Sequence, residues 1–65
     1  MRFVMTPLLR LAIRDATAIA ERTGIAQRVF CDNRGRFHWK AASLLFLGET
    51  VCVIDPNGEP NWEAT

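Results

Sequence analysis

The chain has 65 residues, of which 49% are hydrophobic and 23% charged, and its formal net charge is +1. That composition excludes a disordered or low-complexity chain, and the length gives one domain, 1–65, that buries only about 60% of its unfolded surface. So short a chain has little room for a catalytic pocket, and no stretch nears the roughly eighteen apolar residues of a membrane span.

The near-neutral total hides a division along the chain. All 8 basic residues (Arg2, Arg10, Arg14, Arg22, Arg28, Arg34, Arg36, Lys40) lie in the first forty positions beside Asp15, Glu21 and Asp32, while Glu49, Asp55, Glu59 and Glu63 come later with no base among them. The first part is therefore strongly cationic and the last, including a candidate acidic arm over 55–65, is anionic. The opening Met-Arg-Phe-Val-Met-Thr-Pro has neither the apolar run nor the small-residue site of a signal peptide. Two cysteines, Cys31 and Cys52, make no disulfide framework. A reducing cytoplasm is the expected location, with both thiols acting as small buried hydrophobes.

Phe3, Val4 and Met5 form either a short first strand or an apolar lead into a helix. Thr6-Pro7 is the start of that helix, a threonine cap with proline where its missing N–H does no harm, and Arg22-Thr23-Gly24 is its stop. Between them Leu8, Leu9, Ala12, Ile13, Ala16, Ile19 and Ala20 share one arc at helical spacing, so an amphipathic helix over 7–23 should lay that arc on a sheet. Leu11 falls outside the arc.

Val29 to Ala41 reads as a β-hairpin. A three-residue loop Asn33-Arg34-Gly35, with glycine in the left-handed region, places Cys31 opposite Phe37 and Val29 opposite Trp39. Those four then share one face, and Arg28, Phe30, Arg36, His38 and Lys40 share the other. A four-residue loop would mix polar and apolar residues on both faces, so the first register is preferred. Ten residues from Asp32 to Ala41 are echoed from Asp55 to Ala64, with Asp, Gly, Trp and Ala at the same offsets. Shared turn chemistry explains the echo as well as duplication does.

Further on, Leu44–Leu47 and Val51–Ile54 are apolar runs around Gly48, which predicts a second hairpin with Leu47 facing Thr50. Asp55-Pro-Asn-Gly58 is a turn, and Pro60 rules against a long final strand. The fold expected is α+β: one N-terminal amphipathic helix on a small antiparallel sheet, a hairpin meander of about three to five strands near 2–5, 27–32, 36–41, 43–47 and 50–54. Its core should hold Phe3, Leu9, Ala12, Ile13, Ala16, Ile19, Val29, Trp39, Leu44, Phe46, Val51 and Val53.

No motif of catalysis, metal binding or cofactor binding stands out, and the expectation is no enzyme, no cofactor and no metal. Cys31, Cys52, His38 and Asp55 lack the close spacing of a zinc site, and the register turns Cys31 and His38 to opposite faces. What remains is recognition. Arg28, Phe30, Arg34, Arg36, His38 and Lys40 form a basic, aromatic surface, and Glu59, Trp62 and Glu63 a second, acidic one. The sequence therefore reads as a small non-catalytic interaction or regulatory module that binds a larger protein, in the size class of phage- and plasmid-type inhibitors of host factors. Two other readings stand beside it: a nucleic-acid binder that stacks bases on Phe30 between cations, and a structural homodimer. The near-neutral pI of about 7.8 weighs against the first of these.

Overall fold

A computed structural model describes residues 4–45 and 47–62. Helix α1 spans Pro7–Thr23, followed by strands β1 (Gln27–Cys31), β2 (Phe37–Ala41), β3 (Glu49–Ile54) and β4 (Pro60–Asn61). The four strands make one antiparallel sheet in the order β2-β1-β3-β4, with α1 packed on one face, so the α+β arrangement with an N-terminal helix holds. The helix begins and ends as its sequence dictates. Thr6 Oγ1 accepts the N–H of Leu9 at 3.2 Å, Pro7 is the first helical residue, and Gly24 closes the last turn at φ 71° by donating its N–H to the Ala20 carbonyl.

The core is thin. Leu9, Ala12, Ala16 and Ala20 form a stripe of small residues that lets α1 approach Val29, Val51, Cys52 and Ile54 closely, with Ile13, Cys31, Phe37 and Trp62 packed around them. Ile13 and Ile19 flank this stripe half-buried. Leu8, which shares the apolar arc, is instead 70% exposed. Four turns of helix bury only one large side chain, so the alanine row, not the leucines, sets the packed face.

The first hairpin has the expected register, Cys31 with Phe37 and Val29 with Trp39. Trp39, however, is not in the core: it stands on the helix side of the edge strand β2 and is 37% exposed, because the buried stripe of α1 lies over the middle of the sheet. The loop closes with Asp32 N–H to the Arg36 carbonyl and Gly35 N–H to the Asp32 carbonyl, Gly35 at φ 81°. The loop after β3 repeats this pattern, with Asp55 N–H to the Glu59 carbonyl and Gly58 N–H to the Asp55 carbonyl. The echo between 32–41 and 55–64 is thus carried at least by one loop type used twice.

The second predicted hairpin does not form. Residues 43–45 are not strand, and β3 pairs with β1, not with a strand at 43–47. After β2 the chain leaves the sheet in a turn closed by Leu44 N–H to the Ala41 carbonyl, and the connector to residue 48 carries it to the far side of β1. Leu44, expected in the core, is 58% exposed on this connector. Phe3 and Phe46, and the first two residues of the strand expected near 2–5, lie outside the described residues, while Val4 and Met5 are not strand.

A bulge in β3 corrects one more expectation. Cys52 pairs with Val29 but Thr50 with Phe30, which leaves Val51 as the extra residue. Val51 thereby joins Cys52 and Ile54 in the core, whereas Val53, opposite Arg28, is half-buried on the other face.

Candidate partner-binding surface

The face of the sheet away from α1 carries Arg28 and Phe30 from β1, His38 and Lys40 from β2, and Thr50 and Val53 from β3. Its geometry begins at Asp32. One carboxylate oxygen accepts the N–H groups of Arg34 and Arg36, each at 2.9 Å, and the other meets His38 Nε2 at 2.8 Å. The backbone N–H of Arg36 first, and the His38 side chain next, hold the Asp32 carboxyl well down, at about 2. Arg34 and Arg36 are exposed on this rigid loop.

Phe30 is placed differently from the sequence expectation. It lies on the predicted face but is 5% exposed, stacked on the His38 ring with centroids 5.4 Å apart and 29° between planes. Lys40 Nζ donates to the Leu45 carbonyl at 3.2 Å, which brings the connector beside the exposed end of Lys40. A covered Phe30 offers no ring for a nucleobase to stack on. Arg28 is also drawn inward, half-buried with Nη1 donating to Thr50 Oγ1 at 3.0 Å.

Of the expected acidic second surface, Glu59 and Trp62 are among the described residues. Glu59 is exposed beside β4, and β4 lies three strand spacings from β2, about 14 Å away. Trp62 is half-buried and packs on the core cluster between helix and sheet. Glu63 lies outside the described residues. Of the nine expected contact residues, Arg34, Arg36, His38 and Lys40 thus share one exposed neighbourhood, and Arg28, Phe30 and Trp62 are wholly or partly spent on the protein's own packing.

The residues that sequence reasoning missed are leucines. Leu44, Leu45 and Leu47 on the connector are 58%, 93% and 88% exposed; the Leu45 carbonyl accepts from Lys40 Nζ, and Leu47 lies beside Cys31, Asp32 and Asn33 at the loop end of β1. A usable signal was present: a strand at 43–47 hydrogen-bonded to β2 would need a hairpin turn with positive φ at Ala41-Ala42-Ser43, which has no glycine, asparagine or aspartate to supply it, and the turn that does close there leads out of the sheet. Leu8 and Leu11 form a second exposed apolar site with Trp39, at the groove between α1 and β2.

The thiols show no sign of activation. Burial pushes Cys52 up to about 11, and burial followed by the charges of Asp32 and Glu49 raises Cys31. Cys31 and His38 sit on opposite faces of the hairpin, as their pairing with Phe37 and Phe30 requires. Among the described residues no group of three or more His, Cys, Asp or Glu could hold a metal ion, and no helix is long and apolar enough to cross a membrane. No protein-family model, curated protein or solved structure matches this chain.

Proposed function

We propose that the protein is a small non-catalytic interaction module that acts in the cytoplasm by docking on a larger protein through the connector and the hairpin beside it. The observation that carries this reading is the exposure of three leucines, Leu44, Leu45 and Leu47, within four positions of one short connector. Single exposed leucines are ordinary, but three on one short connector of so small a domain are surface that association would remove from water. Lys40, bonded to the Leu45 carbonyl, and Arg34 and Arg36 on the loop whose Asp32 and Asn33 lie beside Leu47 would steer the approach of an acidic partner. Two unbonded thiols fit a reducing compartment.

The test compares immobilised wild-type protein with Leu45→Asp, a change at a fully solvated position, in extract of the native host. The expected result is a protein retained by the wild type and lost by the variant at unchanged circular dichroism. The reading is overturned if both forms retain the same proteins. It is overturned equally if the wild type binds a generic single-stranded oligonucleotide with an affinity that falls steeply with salt, the mark of phosphate contacts. A mass that doubles with concentration in sedimentation, and does so only with Leu45 intact, would assign the patch to a second copy instead.

A further inference from the structure

β2 and β4 are the two edges of the sheet among the described residues, and the chain treats them differently. In an antiparallel ladder, successive residues turn their backbone groups alternately toward and away from the partner strand. Asp32 donates to Arg36 and Ala42 donates to Ala26, so Arg36, His38 and Lys40 turn their backbone groups to β1, while Trp39 presents its N–H and C=O outward and Ala41 its N–H, the Ala41 carbonyl being taken by Leu44 in the following turn. On β4, Asp55 donates to the Glu59 carbonyl, which puts the next outward position at Pro60, a residue with no N–H to offer. Proline there blunts one edge against further strands. β2, with the sequence FHWKA, carries no such block.

The two sides of the β2 edge also differ in chemistry. On the helix side, Leu8, Leu11 and Trp39 are exposed at 70%, 45% and 37% along one shallow groove. Asp15, a carboxylate that lines the groove, sits 3.5 Å from Arg14, which lines a neighbouring hollow with Arg10 and Leu11. The other side carries His38 and Lys40, and Arg36, at the loop end, also lines the groove. A strand laid against β2 places alternate side chains over the apolar groove and over Lys40.

From this we infer that the β2 edge takes up an extended segment of a partner protein in which acidic and apolar residues alternate, adding a fifth strand to the sheet. The inference rests on the protein-binding reading and names one element of that partner. A second copy is a poorer occupant of this edge, because antiparallel pairing of β2 with itself, centred on His38, Trp39 or Lys40, sets Lys40 opposite Arg36, His38 or a second Lys40, none of them a carboxylate.

The probe is a short capped peptide of alternating glutamate and valine, titrated into the full chain and followed by amide resonances. The expected outcome is that the Trp39 and Ala41 amides shift, that Lys40→Glu weakens binding at least tenfold, and that the same peptide N-methylated along one edge shifts neither amide. N-methylation removes the strand's hydrogen bonds without touching the protein, so a variant that fails to fold leaves the test standing. Equal binding of the N-methylated peptide, equal binding of an alternating lysine–valine peptide, or shifts confined to other residues would overturn the inference. Failure here while Leu45-dependent capture persists removes the edge site alone, whereas failure of both removes the protein-binding reading.

Discussion

The carboxylate of Asp32 accepts two backbone N–H groups across the hairpin loop and meets His38 on its other side. These donors favour the charged form, so its pKa in the folded protein, about 2, lies below the ordinary 3.8. The stability this group contributes is therefore fully present above about pH 4 and is lost as the pH falls toward 2. Asp32→Ala should melt at a lower temperature than the wild type near neutral pH, and the gap should narrow as the pH approaches 2. A gap that stays constant through that range would mean the carboxylate's charge plays no part in holding the loop. The role of Asp32 and Gly35 is legible in the sequence because turn chemistry is local: a short polar side chain bonds its own neighbours, and one glycine supplies the positive φ. The fate of Phe30 is not. Alternation along a strand gives the face a residue occupies, but how far that face is covered depends on contacts distant in sequence, such as the His38 ring on Phe30.

Among the elements, α1 and the first hairpin are set by caps, helical spacing and loop length, whereas the path from β2 to β3 is not. Leu44–Leu47 is an apolar run too short to show a period, and nothing local records that β3 will pair with β1 across a non-sequential connection. The bulge at Val51 hides further, since it breaks the two-residue period that Val51 and Val53 would otherwise share. The connector leaves one testable mark. Gly48, at φ 140°, passes so close to β1 that a Cβ there would overlap the Cys31 carbonyl oxygen, while a Cβ on Gly35 would meet open space. Gly35→Ala should cost about 1 kcal/mol for its backbone conformation alone. Gly48→Ala should cost on the order of 3 kcal/mol, because backbone strain and a clash with main chain add. Chemical denaturation of the two variants checks the order, and equal losses would contradict the close passage of the connector over β1.

At the scale of the whole molecule, a row of alanines makes a thin core and sends the larger side chains outward. Leu8, Leu11, Trp39, Leu44, Leu45 and Leu47 are all exposed, while the fully buried set contains nothing larger than Leu9 and Ile54. A domain built this way is marginal by itself and has apolar surface to give to a partner. The charge division visible in the sequence keeps its meaning here, because the cationic hairpin and Glu59 stand at opposite edges of the sheet and do not neutralise each other. Cations on a rim set the rate and salt dependence of docking, and a desolvated apolar anchor sets its strength. The most direct measurement is thus the dissociation constant of the captured protein for the wild type, Leu45→Asp and Arg36→Ala at low and high salt. The account predicts a loss of more than tenfold for Leu45→Asp at both salts, and for Arg36→Ala a smaller loss that fades at high salt. Wild-type affinity in Leu45→Asp, with the whole loss falling on Arg36→Ala, would contradict it.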